Sequence, residues 1–390
     1  MTADVESERR MTYRILFVAS LHHPEALRAA VDATPPGEQP PLFPPSMAQH
    51  FWEKALRKRG HTLSVFYRNL PAYGRASQHT QRHSAGITPG KVVTALLNRI
   101  PPTINPDLRE RNRRLIAEAR VFQPDLLWLF GDNTVIYPQT LAEIQQMTGC
   151  RIIYASGTSP IVFSRPIERA AARLYDLVLV NDYYHGVQWL ELGAKQMECL
   201  PIAACDPEFH HPYALTNEER QNYACEIAFV GTLIPDHLYS RRVRALEALR
   251  EFDLGIWSVH DVPDSLRRFV RGGALGEQML RILSAAKLCI NPHGDFMRYG
   301  GNLRLFEAAG VGVAQISDDL PGTRGWFPEV DGGPTILTYR DETDLQAQVA
   351  AMLADDSARQ ALAELARAHV YAHHTYDQRS ERLEALLAGL

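Results

Sequence analysis

Residues Tyr299–Asp319 read YGGNLRLFEAAGVGVAQISDD: a glycine turn, a short helix carrying one carboxylate, a glycine stop and an apolar strand. Gly300 and Gly301 free the backbone for close approach to a ligand. Their amides stand where a helix begins, and unpaired N–H groups at the positive end of a helix dipole favour a phosphate. Glu307, about five residues into the helix, can accept two hydrogen bonds from neighbouring sugar hydroxyls. A phosphate turn followed by a ribose carboxylate describes a site for a nucleoside diphosphate. It points first to an enzyme that uses a nucleotide sugar.

Strands and helices alternate on both sides of this segment. Before it come EIAFVG (Glu226 to Gly231), a helix from about Tyr239 to Glu251, DLGIWS, a helix from Glu277 to Ala285 and KLCINPHG; after it come TILTY and a last set of helices. The first half runs RILFVAS, a helix opened by Ser46 and stopped by Gly60, HTLSVFY, a helix from about Asp107 to Phe122, and DLLWLFG. It continues with helices near Gln139–Met147, Ile167–Leu174 and Tyr184–Leu192, interleaved with CRIIYAS, LVLVND and MECLPIA. The prolines of TPPGEQPPLFPP exclude helix and central strand, and Tyr73 to Gly90 reads as a polar, mobile loop. The expected fold is α/β: two doubly wound Rossmann-like domains, 12–205 and 225–372, facing a cleft. A hinge at 206–224, interrupted by Pro207 and Pro212, joins them, and 373–390 forms a final segment. Ligands of such sheets gather at the carboxyl ends of the strands, so both halves offer loops to one crevice.

Composition narrows the function classes. A chain of 390 residues with 45% hydrophobic and 22% charged residues suits two soluble domains. A formal net charge of −4 gives no reason to bind nucleic acid or anionic membrane. Five scattered cysteines (Cys150, Cys199, Cys205, Cys225, Cys289) without a CxxC pair argue against a disulfide framework or structural zinc and for a reducing cytoplasm. No apolar run reaches membrane-spanning length, and the polar start MTADVESERR lacks a secretion-signal core. No GxGxxG follows RILFVAS or EIAFVG, which disfavours a dinucleotide-dependent dehydrogenase.

The motifs EIAFVGT, LSAAKLCINPHG, GGNLRLFEAAGVG, ISDD and HHTYDQRSERLEALL stand in the order found in the CgeB-like group of GT-B glycosyltransferases, named after a spore-surface protein. The chain resembles that group over roughly its last 170 residues, the length of one domain. The first half resembles it only in strand–helix rhythm and in LPIAACDPEFHHP. The resemblance implies a second domain that holds the nucleotide-sugar donor, a first domain that holds the acceptor, and a last helix that crosses back to the first domain. The donor, UDP-, GDP- or dTDP-linked, would be a co-substrate, with no other cofactor. Retaining relatives carry two glutamates on this loop and helix. Glu307 matches the second, which contacts the donor ribose, whereas the first falls on Tyr299. Retention of configuration is therefore not implied, although a tyrosine hydroxyl can still reach a sugar or phosphate.

Glycosyl transfer expels a nucleoside diphosphate, whose growing charge needs oriented amides, Arg or Lys, or a metal. The expected donor residues are Gly231, Thr232, Gly300 and Gly301 through their amides, Arg304 one turn from the loop, and Arg241 with Arg242 opening the helix after VGT. Tyr299, Asn302 and Glu307 complete the set with His293, which either touches the donor sugar or holds its loop. No DxD cluster marks a strand end, so metal-free departure is expected; ISDD is the nearest carboxylate candidate. A general base is sought at first-domain strand ends among His22, His23, Asp132 and Asp182; a retaining reaction needs none, because the departing phosphate accepts the proton. Each has a competing structural reading: an ordinary Gly-Gly turn, an exposed helical Glu307, a surface Arg304, a helix-capping Asp. The reading is a metal-independent glycosyltransferase acting on a glycan, lipid-linked or small-molecule acceptor hydroxyl. A nucleotide-sugar epimerase and a non-catalytic surface or scaffold protein are the alternatives.

Overall fold

A computed structural model of the protein describes residues 12–20, 47–70, 72–73, 92–93, 96–97, 99–102, 104–234 and 237–390. The first of two sheets contains β1 (Arg14–Ala19), β2 (Thr62–Tyr67), β3 (Leu126–Phe130), β4 (Arg151–Ser156), β5 (Leu177–Val180) and β6 (Met197–Glu198). The second contains β7 (Cys225–Val230), β8 (Leu254–Trp257), β9 (Val270–Gly272), β10 (Ala286–Asn291), β11 (Ala314–Asp318) and β12 (Leu337–Tyr339). The orders are β2-β1-β3-β4-β5-β6 and β12-β11-β10-β7-β8-β9, with every pairing parallel. Parallel strands covered by helices on both faces must be apolar on both, and all five residues of β3 are buried. Phe17, Trp128 and Ile153 face one apolar layer, and Leu16, Leu127 and Ile152 the other. In each sheet the winding reverses once, between β1 and β3 and between β7 and β10, so a crevice opens at each of those strand ends.

The helices Pro106–Phe122, Pro138–Thr148 and Pro166–Ala171 each begin one residue before the periodicity suggests, because proline suits the first helical turn. The 206–224 interruption holds an additional helix, Asn217–Tyr223, with a Thr216/Glu219 capping box and no buried residue; lacking an apolar face, it left no periodic signal. The short β9 and the helix Pro321–Trp326 are likewise additions, while MECLPIA contracts to the two residues of β6. The proline-rich stretch, the polar start, Ser46 and nearly all of the 73–90 loop lie outside the described residues.

The final helix, Tyr376–Ala388, packs on the first sheet: Tyr376, Leu383 and Leu387 join the layer that holds Phe51, Trp52 and Trp128. Arg59 grips Glu384 with two bonds of 2.6 and 2.5 Å, and Cys205 pairs with Thr375 in a parallel bridge. Among the described residues no helix is long and apolar enough to cross a membrane. All five cysteines are unpaired.

His374 sits in this seam, 8% exposed, with Nε2 donating to the Trp326 carbonyl at 2.8 Å. Burial, reinforced by Arg379, pushes its pKa from 6.5 down to about 3. It is neutral in the folded state over a range where the unfolded chain binds a proton. Stability is therefore full above pH 6.5 and is lost as pH falls towards 3, with a slope approaching about 1.4 kcal/mol per pH unit from this residue. Urea midpoints measured at pH 7.5 and 5 are expected to drop less in His374→Gln than in wild type. Equal drops would remove His374 as the cause.

Candidate active site

A cavity of about 350 Å³ opens at the β7/β10 reversal, lined by Gly231, Thr232, Arg242, Arg304 and Glu307 among others. The helix Leu303–Val311 starts at its wall, capped by Asn302, whose side chain accepts from Leu305 N at 3.2 Å, and is stopped by Gly312 at φ 77°. Arg304 and Glu307, one turn apart, pair at 2.6 Å and both face the cavity. Arg304 also bonds the Val230 carbonyl and the Met279 sulfur. Arg242 donates to the carbonyls of Pro292 (3.0 Å) and Thr232 (2.8 Å) and has no ion-pair partner among the described residues. Burial pushes its pKa down, the mark of a guanidinium short of negative charge.

Several expected donor residues hold the site together instead of facing it. Arg241, next in sequence to Arg242, points elsewhere: its Nη1 bonds the Asp318 carboxylate at 2.7 Å. His293 is fully buried; its Nδ1 meets Asp318 at 2.6 Å and its Nε2 accepts from Asn302 N at 3.4 Å, which makes Nδ1 the protonated nitrogen. Burial alone would raise the Asp318 carboxyl, but His293 and Arg241 outweigh it and hold the group far below the usual carboxylate range. Asp318 is thus committed to structure, and Asp319 is paired with Arg324. Among the described residues no three potential metal ligands converge. Asn302 lines the cavity, but its amide is interlocked with Asn291 at 2.9 and 3.1 Å.

The glycine turn does bind an anion, but an internal one. Asp182, fully buried at the end of β5, accepts at Oδ2 from Arg298 N (2.8 Å), Tyr299 N (2.6 Å) and Gly300 N (3.2 Å), and at Oδ1 from Tyr184 N (3.0 Å). A first-domain carboxylate thereby latches onto a second-domain loop. Gly301 runs so close to the Asn181 carbonyl that a Cβ there would collide with it, and its φ of 97° favours glycine. Two expected roles are corrected. Asp182 caps a helix and bridges the domains, so it is not an accessible base. The Gly300 amide is engaged by Asp182, and that of Gly231 by the Trp257 carbonyl at 3.0 Å, so neither is free for a diphosphate. Tyr299 lies outside the cavity lining, its ring against Trp326 (5.6 Å) and Tyr183 (5.8 Å).

A second cavity, about 440 Å³, opens at the β1/β3 reversal and includes Asp132, exposed at its rim. Gln49 lines this cavity and Ala48 the first, so both flank the start of helix Met47–Lys58. His22 and His23 lie outside the described residues. Arg242 had a legible signal, because it stands three and four residues before the buried Ala245 and Leu246 of its helix. Arg68 and Arg165, which line the second cavity, had only their positions beside a strand end and a helix start.

Solved structures share this fold along nearly the whole chain. Anabaena Alr3699/HepE in complex with UDP and glucose aligns over 97% of this chain and 100% of its own, with a TM-score of 0.60 and 13% identity. An alpha-glucosyltransferase in complex with UDP-glucose and DNA containing an abasic site aligns over 97% and 100%, at 0.62 and 10%. The fold is GT-B. The alpha,alpha-trehalose 6-phosphate synthase of Burkholderia multivorans aligns over 97% and 99%, at 0.56 and 11%. Residues 235–385, which span most of the second domain and reach into the final helix, match a family model described as glycosyl transferase-like; membership of the CgeB-like group is not shown. No curated protein matches the chain in sequence.

Proposed function

We propose that the protein is a glycosyltransferase that moves a sugar from a UDP-sugar to an acceptor hydroxyl, in the cytoplasm and without a metal ion. The observation that carries this reading is the meeting of Arg242, Arg304 and Glu307 in one cavity at the reversal point of the second sheet. Glu307 takes the ribose hydroxyls, and the two guanidiniums, already fixed by carbonyls, take the diphosphate. The acceptor oxygen bonds to the anomeric carbon as that carbon's bond to the diphosphate oxygen breaks. The electron pair leaves with UDP, and the acceptor proton passes to Asp132, which of the two described candidates is the exposed one. Cations held in place before the reaction stabilise the departing charge without reorganising. UDP is favoured because similar folds are described in complex with UDP or UDP-glucose. The second cavity favours transfer over epimerisation, which needs no acceptor pocket.

Calorimetry of the full chain against UDP, GDP and dTDP, followed by turnover of UDP-glucose, tests the proposal. UDP is expected to bind tightest, and EDTA to leave turnover unchanged within about twofold, because the arginines do a metal's work. Binding of no nucleotide would leave a non-catalytic scaffold, and conversion of a UDP-sugar without acceptor an epimerase. Loss of activity in EDTA that magnesium restores would overturn metal independence.

A further inference from the structure

Arg68 is a buried charge of the first domain. It follows β2, is 3% exposed, and its Nη1 donates to the carbonyls of Val18 (2.9 Å) and Phe130 (2.8 Å), which pins it between the carboxyl ends of β1 and β3. Among the described residues it forms no ion pair, and burial pushes its pKa down. Charges are seldom buried without a partner. Glu168, the buried carboxyl nearby, is itself pushed up by burial and is engaged by the Tyr154 hydroxyl and by the amides of Asn133 (3.1 Å) and Arg165 (3.3 Å). Arg68 instead lines the 440 Å³ cavity, beside Gly131, where an added Cβ would come within 3.5 Å of Nη2. The charged residues of that lining are Arg68, Arg165 and Asp132. The Arg165 side chain makes no hydrogen bond to its own helix and is exposed. Among the described residues of the lining, two guanidiniums face one aspartate, an excess of one positive charge.

We propose that this cavity takes an acceptor bearing an oxyanion, a phosphomonoester or a carboxylate, seated on Arg68 and Arg165, with its reacting hydroxyl towards Asp132. Guanidinium forks match both anions, and Asp132 suits a hydroxyl and not a second anion. Gln49 lines this cavity and Ala48, its neighbour in the same helix, lines the donor cavity. The acceptor's role rests on the transferase reading, but the anion seat does not.

The test uses the full chain, wild type and Arg165→Gln, whose exposed site leaves the fold intact where Arg68→Gln removes two buried hydrogen bonds. Inorganic phosphate is titrated calorimetrically in saturating UDP, which fills the donor cavity. Phosphate is expected to bind wild type and to bind Arg165→Gln at least about tenfold more weakly, with UDP affinity unchanged. With UDP-glucose as donor, glucose 6-phosphate or glucuronate is expected to exceed glucose as acceptor by at least about tenfold, and whichever sugar is used identifies the anion. Phosphate that fails to bind, or binds both chains alike, overturns the seat, as does transfer to glucose at an equal rate. If UDP itself does not bind, the transferase reading falls, and the same titration on Arg242→Gln, with its donor cavity disabled, decides the seat alone.

Discussion

Glu307→Ala is expected to weaken UDP binding roughly thirtyfold, by the loss of about 2 kcal/mol of charged hydrogen bonding to the ribose. Turnover of UDP-glucose is expected to fall at least as far, since Arg304 loses the carboxylate that holds it at 2.6 Å beside the diphosphate position. Only partly buried, Glu307 contributes little to the fold, so the thermal midpoint is expected to stay within a few degrees of wild type. Glu307→Gln keeps the shape and one acceptor oxygen, and should fall between the two. Unchanged UDP affinity in the alanine variant would remove Glu307 from the site, and with it the ribose contact of the donor cavity.

Asp182→Ala is expected to act on stability and on the relation of the two domains. One buried carboxylate satisfies four backbone amides, three of them in the other domain. Its removal strands those donors, at a cost of about 3 kcal/mol. The latch between β5 and the 298–300 turn opens, so the radius of gyration measured by small-angle scattering should rise. UDP affinity should change by less than about threefold, because no residue of the donor cavity is touched, whereas turnover should drop by more than about tenfold as the cavities lose alignment. An unaltered scattering profile with unaltered turnover would show that Asp182 is only a helix cap.

Fold and site were legible to different depths in the sequence. Strands such as LLWLF announce themselves because a sheet covered on both faces leaves no position for a polar residue. The Arg304–Glu307 pair was readable because one helical turn puts both side chains on the same face. The owner of the glycine turn's amides was not readable, since Asp182 lies more than a hundred residues away and reaches the turn only when the two domains meet. The choice between Arg241 and Arg242 depends on a helical phase that neighbouring buried residues set. Arg68 carries no periodic or motif signature, and its importance comes from the reversal of strand order around it.

The crossing of helix Tyr376–Ala388 onto the first sheet has a consequence for synthesis. A ribosome delivers Phe51 and Trp52 long before the segment that shields them, and domains ordinarily complete themselves in order of emergence. Here the greasy face beside Trp52 stays bare until the whole second sheet has been translated. The half made first is the last to be finished.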